Sequence, residues 1–323
     1  MTWDPTRGGH PTQPVRPVPH ARAAPRPPQP VAQVNAFELA GRVPSGDSVV
    51  QRVTRAVTRG FANSKQPRDL VTALNGVQAP VTTGRRVAVT SARGGAGKTA
   101  VSALVGSVFA ARRADPVVAV DAAPETGSLA WRLGTQPRGT LAELAQGLMA
   151  ASSRNLADVA RLLPRTPSGL WVVPGGSAGQ RTIARDVTRA LSRLFAVAVL
   201  DCGTGMQLPE TTEVLADAHA VLVVTPATPD GVSSTVSALS GVQPGALQRV
   251  VIALNATDPH GHATLKSGPA REAFQRMGVP VVELPYDRHV AAGAVIDPGK
   301  IAETTFVAAA NLAAWALHRA PQL

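Results

Sequence analysis

The sequence predicts an α/β protein: a doubly wound, mostly parallel sheet of about seven strands with helices on both sides. Three observations carry this expectation. From residue 86 onward, short apolar runs alternate with stretches of helical periodicity. The runs are apolar at nearly every position, as in parallel strands buried on both faces. A glycine-rich turn, GGAGK at 94–98, joins the first run to a helix.

The strand candidates are RVAVTS (86–91), PVVAVD (116–121), LWVVP (170–174), AVAVLD (196–201), HAVLVVT (219–225), RVVIALN (249–255) and VPVVEL (279–284). Helices are expected over 98–112, 140–150, 178–194, 231–240, 265–277 and 301–318. The last is read as packing on the domain through Phe306, Leu312 and Trp315. Its low charge argues against an interfacial membrane anchor.

The first 80 residues differ. Residues 1–30 hold nine prolines and four arginines with almost no large apolar side chain. Such a segment cannot bury enough surface to offset its ordering entropy. We therefore expect a disordered Pro/Arg-rich tail over 1–45, either simply solvated or a docking peptide for a protein partner. Residues 46–80 are expected to form a basic amphipathic helix and a linker. Val49, Val50, Val53, Val57 and Phe61 recur at helical spacing, with Arg52, Arg55 and Arg59 elsewhere on the wheel. Residues 81–323 make the main domain.

Composition bounds the functional classes. Hydrophobic residues make up 44% and aromatics 3%, so Val, Ala and Leu must fill the core. The formal net charge is +11, and residues 1–86 supply most of it, with 12 Lys+Arg against 4 Asp+Glu. No apolar run is long enough for a transmembrane helix, and the N-terminus lacks a secretory h-region. The lone Cys202 excludes an intrachain disulfide framework. A cytoplasmic protein is expected. The seven histidines show no metal-ligand spacing, His260 and His262 included.

The segment RVAVTSARGGAGKTAVSALVGSVFA (86–110) gives strand, glycine-rich turn and helix in the order a phosphate-binding loop needs. Glycines let the backbone curl so that several N–H groups meet one phosphate, and the helix start adds its positive dipole end. Gly94, Gly95, Ala96, Gly97, Lys98, Thr99 and Ala100 form the phosphate-facing stretch. Lys98 would neutralise β/γ-phosphate charge, and the Thr99 hydroxyl would ligate Mg²⁺. Asp201, ending the run AVAVLD, is placed to hold the metal through water. Asp121 ends another run 23 residues past Lys98. It would sit near the metal or the attacking water, or would cap the next turn. ATP and Mg²⁺ are the expected cofactors.

GGAGKT, VDAAPETGSL and LDCGTG together resemble the MinD/ParA-like deviant Walker A P-loop ATPases of the SIMIBI class, over about residues 86–318. The resemblance implies an ATP-sandwiched homodimer in which a signature lysine crosses to the partner's nucleotide. Arg93 occupies that position here, so Arg93 joins Lys98 and Asp121 as catalytic candidates. It also maps base contacts onto Asn255, Pro285 and Asp287, alternatively a strand-end turn and a Pro-Tyr-Asp turn. Family members often carry a second carboxylate two residues after Asp121. This sequence has Ala123 there, with Glu125 nearest, which implies slow hydrolysis. More narrowly, DAAPETGSL, DCGTG, LWVVPGG and the basic N-terminal extension resemble MinD-like ATPases linked to type VII secretion in actinobacteria. That implies a switch acting on a secretion complex, at the periphery of a membrane assembly. Two alternatives stay open: a partitioning ATPase binding nonspecific DNA, and a nucleotide-binding scaffold with negligible hydrolysis. For the former, Arg181, Arg185, Arg189 and Arg193, spaced by four, would form a basic stripe offset only by Asp186.

Overall fold

The computed structural model describes residues 43–46, 66–123, 127–176, 182–259 and 265–320, all within a compact unit spanning Ala40–Leu323. Most of the tail, the amphipathic stretch at 47–62, Glu125, Arg181, His260 and His262 lie outside the described residues.

Among the described residues, seven parallel strands form one sheet: β1 (Arg85–Ser91), β2 (Val117–Ala122), β3 (Trp171–Val173), β4 (Val197–Thr204), β5 (Ala220–Pro226), β6 (Val250–Asn255) and β7 (Val281–Leu284), in the order β3-β2-β4-β1-β5-β6-β7. Each coincides with an expected apolar run. Side chains alternate across a strand, so both faces need cover. Val87, Val89, Val197, Val199 and Leu222 lie in one cluster with α1 (Gln66–Val77), α2 (Lys98–Arg112) and α12 (Glu303–Arg319). Ala88, Val118, Val120, Leu200 and Val223 lie in the other. There they meet α4 (Leu141–Ser152), α6 (Ile183–Leu191), α8 (Pro229–Ser240) and α10 (Ser267–Gln275). Helix α4 begins with a capping box: Thr140 accepts from the Glu143 N–H, and Glu143 accepts from the Thr140 N–H.

The remaining helices are α3 (Leu129–Arg132), α5 (Leu156–Ala160), α7 (Pro209–Asp217), α9 (Pro244–Leu247) and α11 (Arg288–Ala291). These five and α1 were not expected as elements.

Two expectations need correction. Trp315 does not pack inward. It is 36% exposed, set edge-on to His318, with Arg319 over its ring, while Leu312 is buried. The arginine stripe on α6 is also not free. Arg185 pairs with Asp186 and with Glu213 (3.3 Å), and Arg189 pairs with Asp217 (2.6 Å). Glu213 and Asp217 sit on α7, which the fold lays beside α6, so acidic neighbours from another element neutralise much of the stripe.

Before β5, His219 accepts the main-chain N–H of Arg86 at Nδ1 (2.9 Å). Burial, with the nearby Arg86 and Arg85 adding, pushes its pKa down to about 4. The fold keeps the ring neutral, whereas the unfolded chain protonates it near 6.5. The contribution of His219 to stability should therefore fall as pH drops from about 6.5 to about 4, by ~1–2 kcal/mol after allowing for a partly exposed ring. His219→Asn keeps an acceptor but cannot titrate, so in urea unfolding its stability relative to wild type should rise by that amount between pH 6.5 and pH 4. An unchanged difference would contradict this.

Candidate functional site

The carboxyl ends of the strands carry the site, as expected for an open parallel sheet. Strand β1 runs into the turn 92–97, and α2 begins at Lys98. Gly95 and Gly97 have φ of 71° and 92°, the left-handed region that side chains avoid. A Cβ on Gly97 would collide with the Asn255 amide. Gly97 caps α2 without a side-chain acceptor. The first-turn N–H groups, which have no partner within a helix, remain available to an anion.

Behind the turn, Lys98 Nζ donates to Thr204 Oγ1 (2.6 Å), and burial lowers its pKa. Asp201 is buried and accepts from Ser102 Oγ (3.0 Å) and from Thr99. Burial raises its pKa to about 6. Asp121 faces Asp201 across the β2–β4 register. Burial, and then the charge of Asp201, raise it to about 7, although Asp121 accepts the N–H groups of Leu129 (3.1 Å) and Ala123 (3.3 Å). Burial likewise keeps Cys202 a thiol. Thr99 and Asp201 offer hard oxygen donors beside a phosphate-type turn, which suits Mg²⁺ completed by phosphate and water.

A cavity of about 470 Å³ opens from the turn. Gly95, Gly97, Lys98, Thr99 and Ala100 line one end, and Asn255, Pro285 and Asp287 the other. Most of the expected phosphate and base residues thus line one space, while Gly94, Ala96, Asp121 and Asp201 are not among its lining residues. Thr305 also lines it, and its buried Oγ1 makes no hydrogen bond, a polar contact left for an occupant. Three expected residues are already engaged. Asn255 Nδ2 donates to Ala96 O (2.8 Å), so the residue braces the turn. The Asp287 carboxylate accepts the N–H groups of His289 and Ala302, which fixes the rim rather than leaving it free for a base. Arg93 pairs within its own chain, with Asp230 (2.9 Å) and Ser234 (2.8 Å) on α8.

Sequence reasoning missed Gly127, Thr204 and Arg132. A Cβ on Gly127 would strike the Asp121 carboxylate, so glycine is what lets this segment wrap that aspartate. Arg132 is buried and lines the cavity, donating to Ala294 O (2.9 Å) and Val290 O (2.6 Å). Nothing in its local pattern announced a contact so distant in sequence.

Fold and site together define a P-loop NTPase architecture. No family model matches the chain. Among solved structures it is similar to the cell division ATPase MinD of Pyrococcus furiosus, at 22% identity and TM-score 0.53, covering 70% of this chain and 97% of that one. It is also similar to the septum site-determining protein MinD of Pyrococcus horikoshii OT3 complexed with Mg-ADP, at 18% identity and TM-score 0.52, covering 70% and 94%. Among curated proteins it is 31% identical over 223 residues to the ESX-1 secretion-associated protein EspI of Mycobacterium tuberculosis. That match covers 65% of this chain and 33% of EspI. The chain thus spans about a third of the length of the curated relatives it matches. The solved neighbours carry the MinD fold expected from the motifs.

Proposed function

We propose that this chain is a slow, Mg-ATP-dependent switch. ATP would close a homodimer that acts on a partner, a secretion apparatus of the type VII kind, and hydrolysis would open it. The observation that carries this reading is the single cavity joining the glycine turn, Lys98 and Thr99 to Asn255 and Pro285. The likeness to a MinD solved with Mg-ADP supports the nucleotide. The likeness to EspI supports the secretion setting.

The residues divide the work by position. The turn and the α2 N-terminus cradle phosphate oxygens, and Lys98 neutralises their charge. Thr99 and Asp201 would hold Mg²⁺, which would neutralise charge developing on the transferred phosphoryl group. Asp121, buried beside Asp201, would orient water by the role the resemblance implies. Ala123, two residues on, supplies no second carboxylate. Losing a water-positioning group costs about 10²–10⁴-fold in rate, hence a slow switch. The scaffold reading draws on that same alanine. The DNA reading loses support from the ion pairs of Arg185 and Arg189.

For Arg93 to reach a partner's nucleotide, its bond to Asp230 must open. Arg93→Ala should therefore weaken ATP-induced dimerisation, measured by light scattering, while nucleotide affinity stays within about twofold. Phosphate release from Mg-ATP tests the enzyme. Slow turnover that Lys98→Ala removes is expected. Turnover no higher than in that variant would favour the scaffold.

A further inference from the structure

The loop 287–302 has two working faces. On the inner face, Asp287, Val290 and Gly293 line the cavity. On the outer face, the same loop holds a short stretch of chain far away in sequence, Pro44–Gly46. The Arg288 guanidinium donates to Ser45 O, and His289 Nδ1 bonds Pro44 O (2.8 Å). The Gly46 N–H donates to Lys300 O (2.6 Å). These contacts grip main-chain groups, a source of affinity in peptide recognition.

The fit also selects the residue. A Cβ on Gly46 would fall 2.5 Å from Ala302 N and 2.6 Å from the Asp287 carboxylate. The grip is braced from behind. His289 is buried and its Nε2 accepts the Asp297 N–H (2.9 Å), which leaves Nδ1 to donate to Pro44 O. Asp287 ties the two faces together. It lines the cavity while accepting the N–H groups of His289 and Ala302, which flank the bound stretch. From the other side, Arg132 fixes the loop through Val290 O and Ala294 O. The main chain of α3, to which Arg132 belongs, is in turn held by Asp121 at Leu129 N.

We propose that the outer face of this loop is a binding site for a Pro-Ser-Gly peptide, filled by the chain's own Pro44–Gly46, and that its occupancy is coupled to nucleotide in the cavity. The site anchors Pro44–Gly46 at the rim of the nucleotide pocket. The coupling rests on the nucleotide reading above. It must be reciprocal: nucleotide that orders the loop tightens the strap, and the strap slows nucleotide release by the same factor.

The test uses the full chain. In wild type, hydrogen exchange at the Gly46 amide should be slow, and slower by about five- to tenfold with saturating Mg-ADP. Gly46→Val should expose residues 43–46 to exchange and speed release of a fluorescent ADP by a similar factor. Arg288→Ala, which removes one grip and leaves the strap sequence intact, should act in the same direction. Exchange at Gly46 as fast as in an unstructured chain would overturn the site. Unchanged ADP release in both variants would overturn the coupling. A wild-type chain that binds no ADP would sink the nucleotide reading and the coupling with it, while Gly46 protection would still judge the site.

Discussion

Replacing Lys98 by alanine should remove Mg-ATP turnover and weaken nucleotide binding by about 10²–10³-fold, the scale for losing one preorganised charged donor at a phosphoryl site. Lys98 is the ammonium in the turn, its Nζ held by Thr204. Burial already lowers its pKa, so the fold keeps a cation where desolvation disfavours one. An anion in the cavity would repay that cost. The folded structure should survive, because the core face of α2 is carried by Val101, Leu104, Val105 and Phe109. An unchanged urea midpoint alongside lost binding is the expected pair of results. Retained binding would mean that the Lys98 ammonium does not meet the phosphates.

Asp201→Asn should separate function from stability. Asn can still accept from Ser102, but it lacks the charge that holds a divalent cation. Mg²⁺ should therefore no longer enhance nucleotide binding, a loss of about 10²-fold or more. In EDTA the same variant should be more stable than wild type at neutral pH. The folded state raises the Asp201 pKa to about 6 and that of Asp121 to about 7. The ionised pair therefore opposes folding above those values, and its contribution to metal-free stability should rise as pH falls from about 7 toward 4, opposite in sign to that of His219. Removing one carboxylate should return ~1–2 kcal/mol near pH 7.5. A destabilised, still magnesium-responsive variant would contradict both halves.

The sheet was legible because burial on both faces forces each strand to be apolar throughout, and seven such runs stand in the sequence. The glycine turn was legible because glycine is required where φ is positive, at Gly95 and Gly97. Legibility ended where distant elements meet. The stripe on α6 looked basic until α7 brought Glu213 and Asp217 beside it. Asn255 was legible as part of the site, but its bond to Ala96 O depends on how the β6 end meets the turn. Helix α1 shows Leu70, Ala73, Leu74 and Val77 at helical spacing, a short pattern beside the longer basic stretch, where a linker is expected. Arg132 and the strap at 44–46 had no local signal, because their partners lie 158 or more residues away.

Calorimetric titration of the purified chain with ATP, with and without Mg²⁺, probes the cavity most directly. We expect saturable binding at one site per chain, micromolar or tighter with Mg²⁺ (about −8 kcal/mol), weakened by EDTA and lost in Lys98→Ala. Absence of saturable binding, or binding indifferent to both Mg²⁺ and Lys98, would contradict the assignment of this cavity to Mg-ATP.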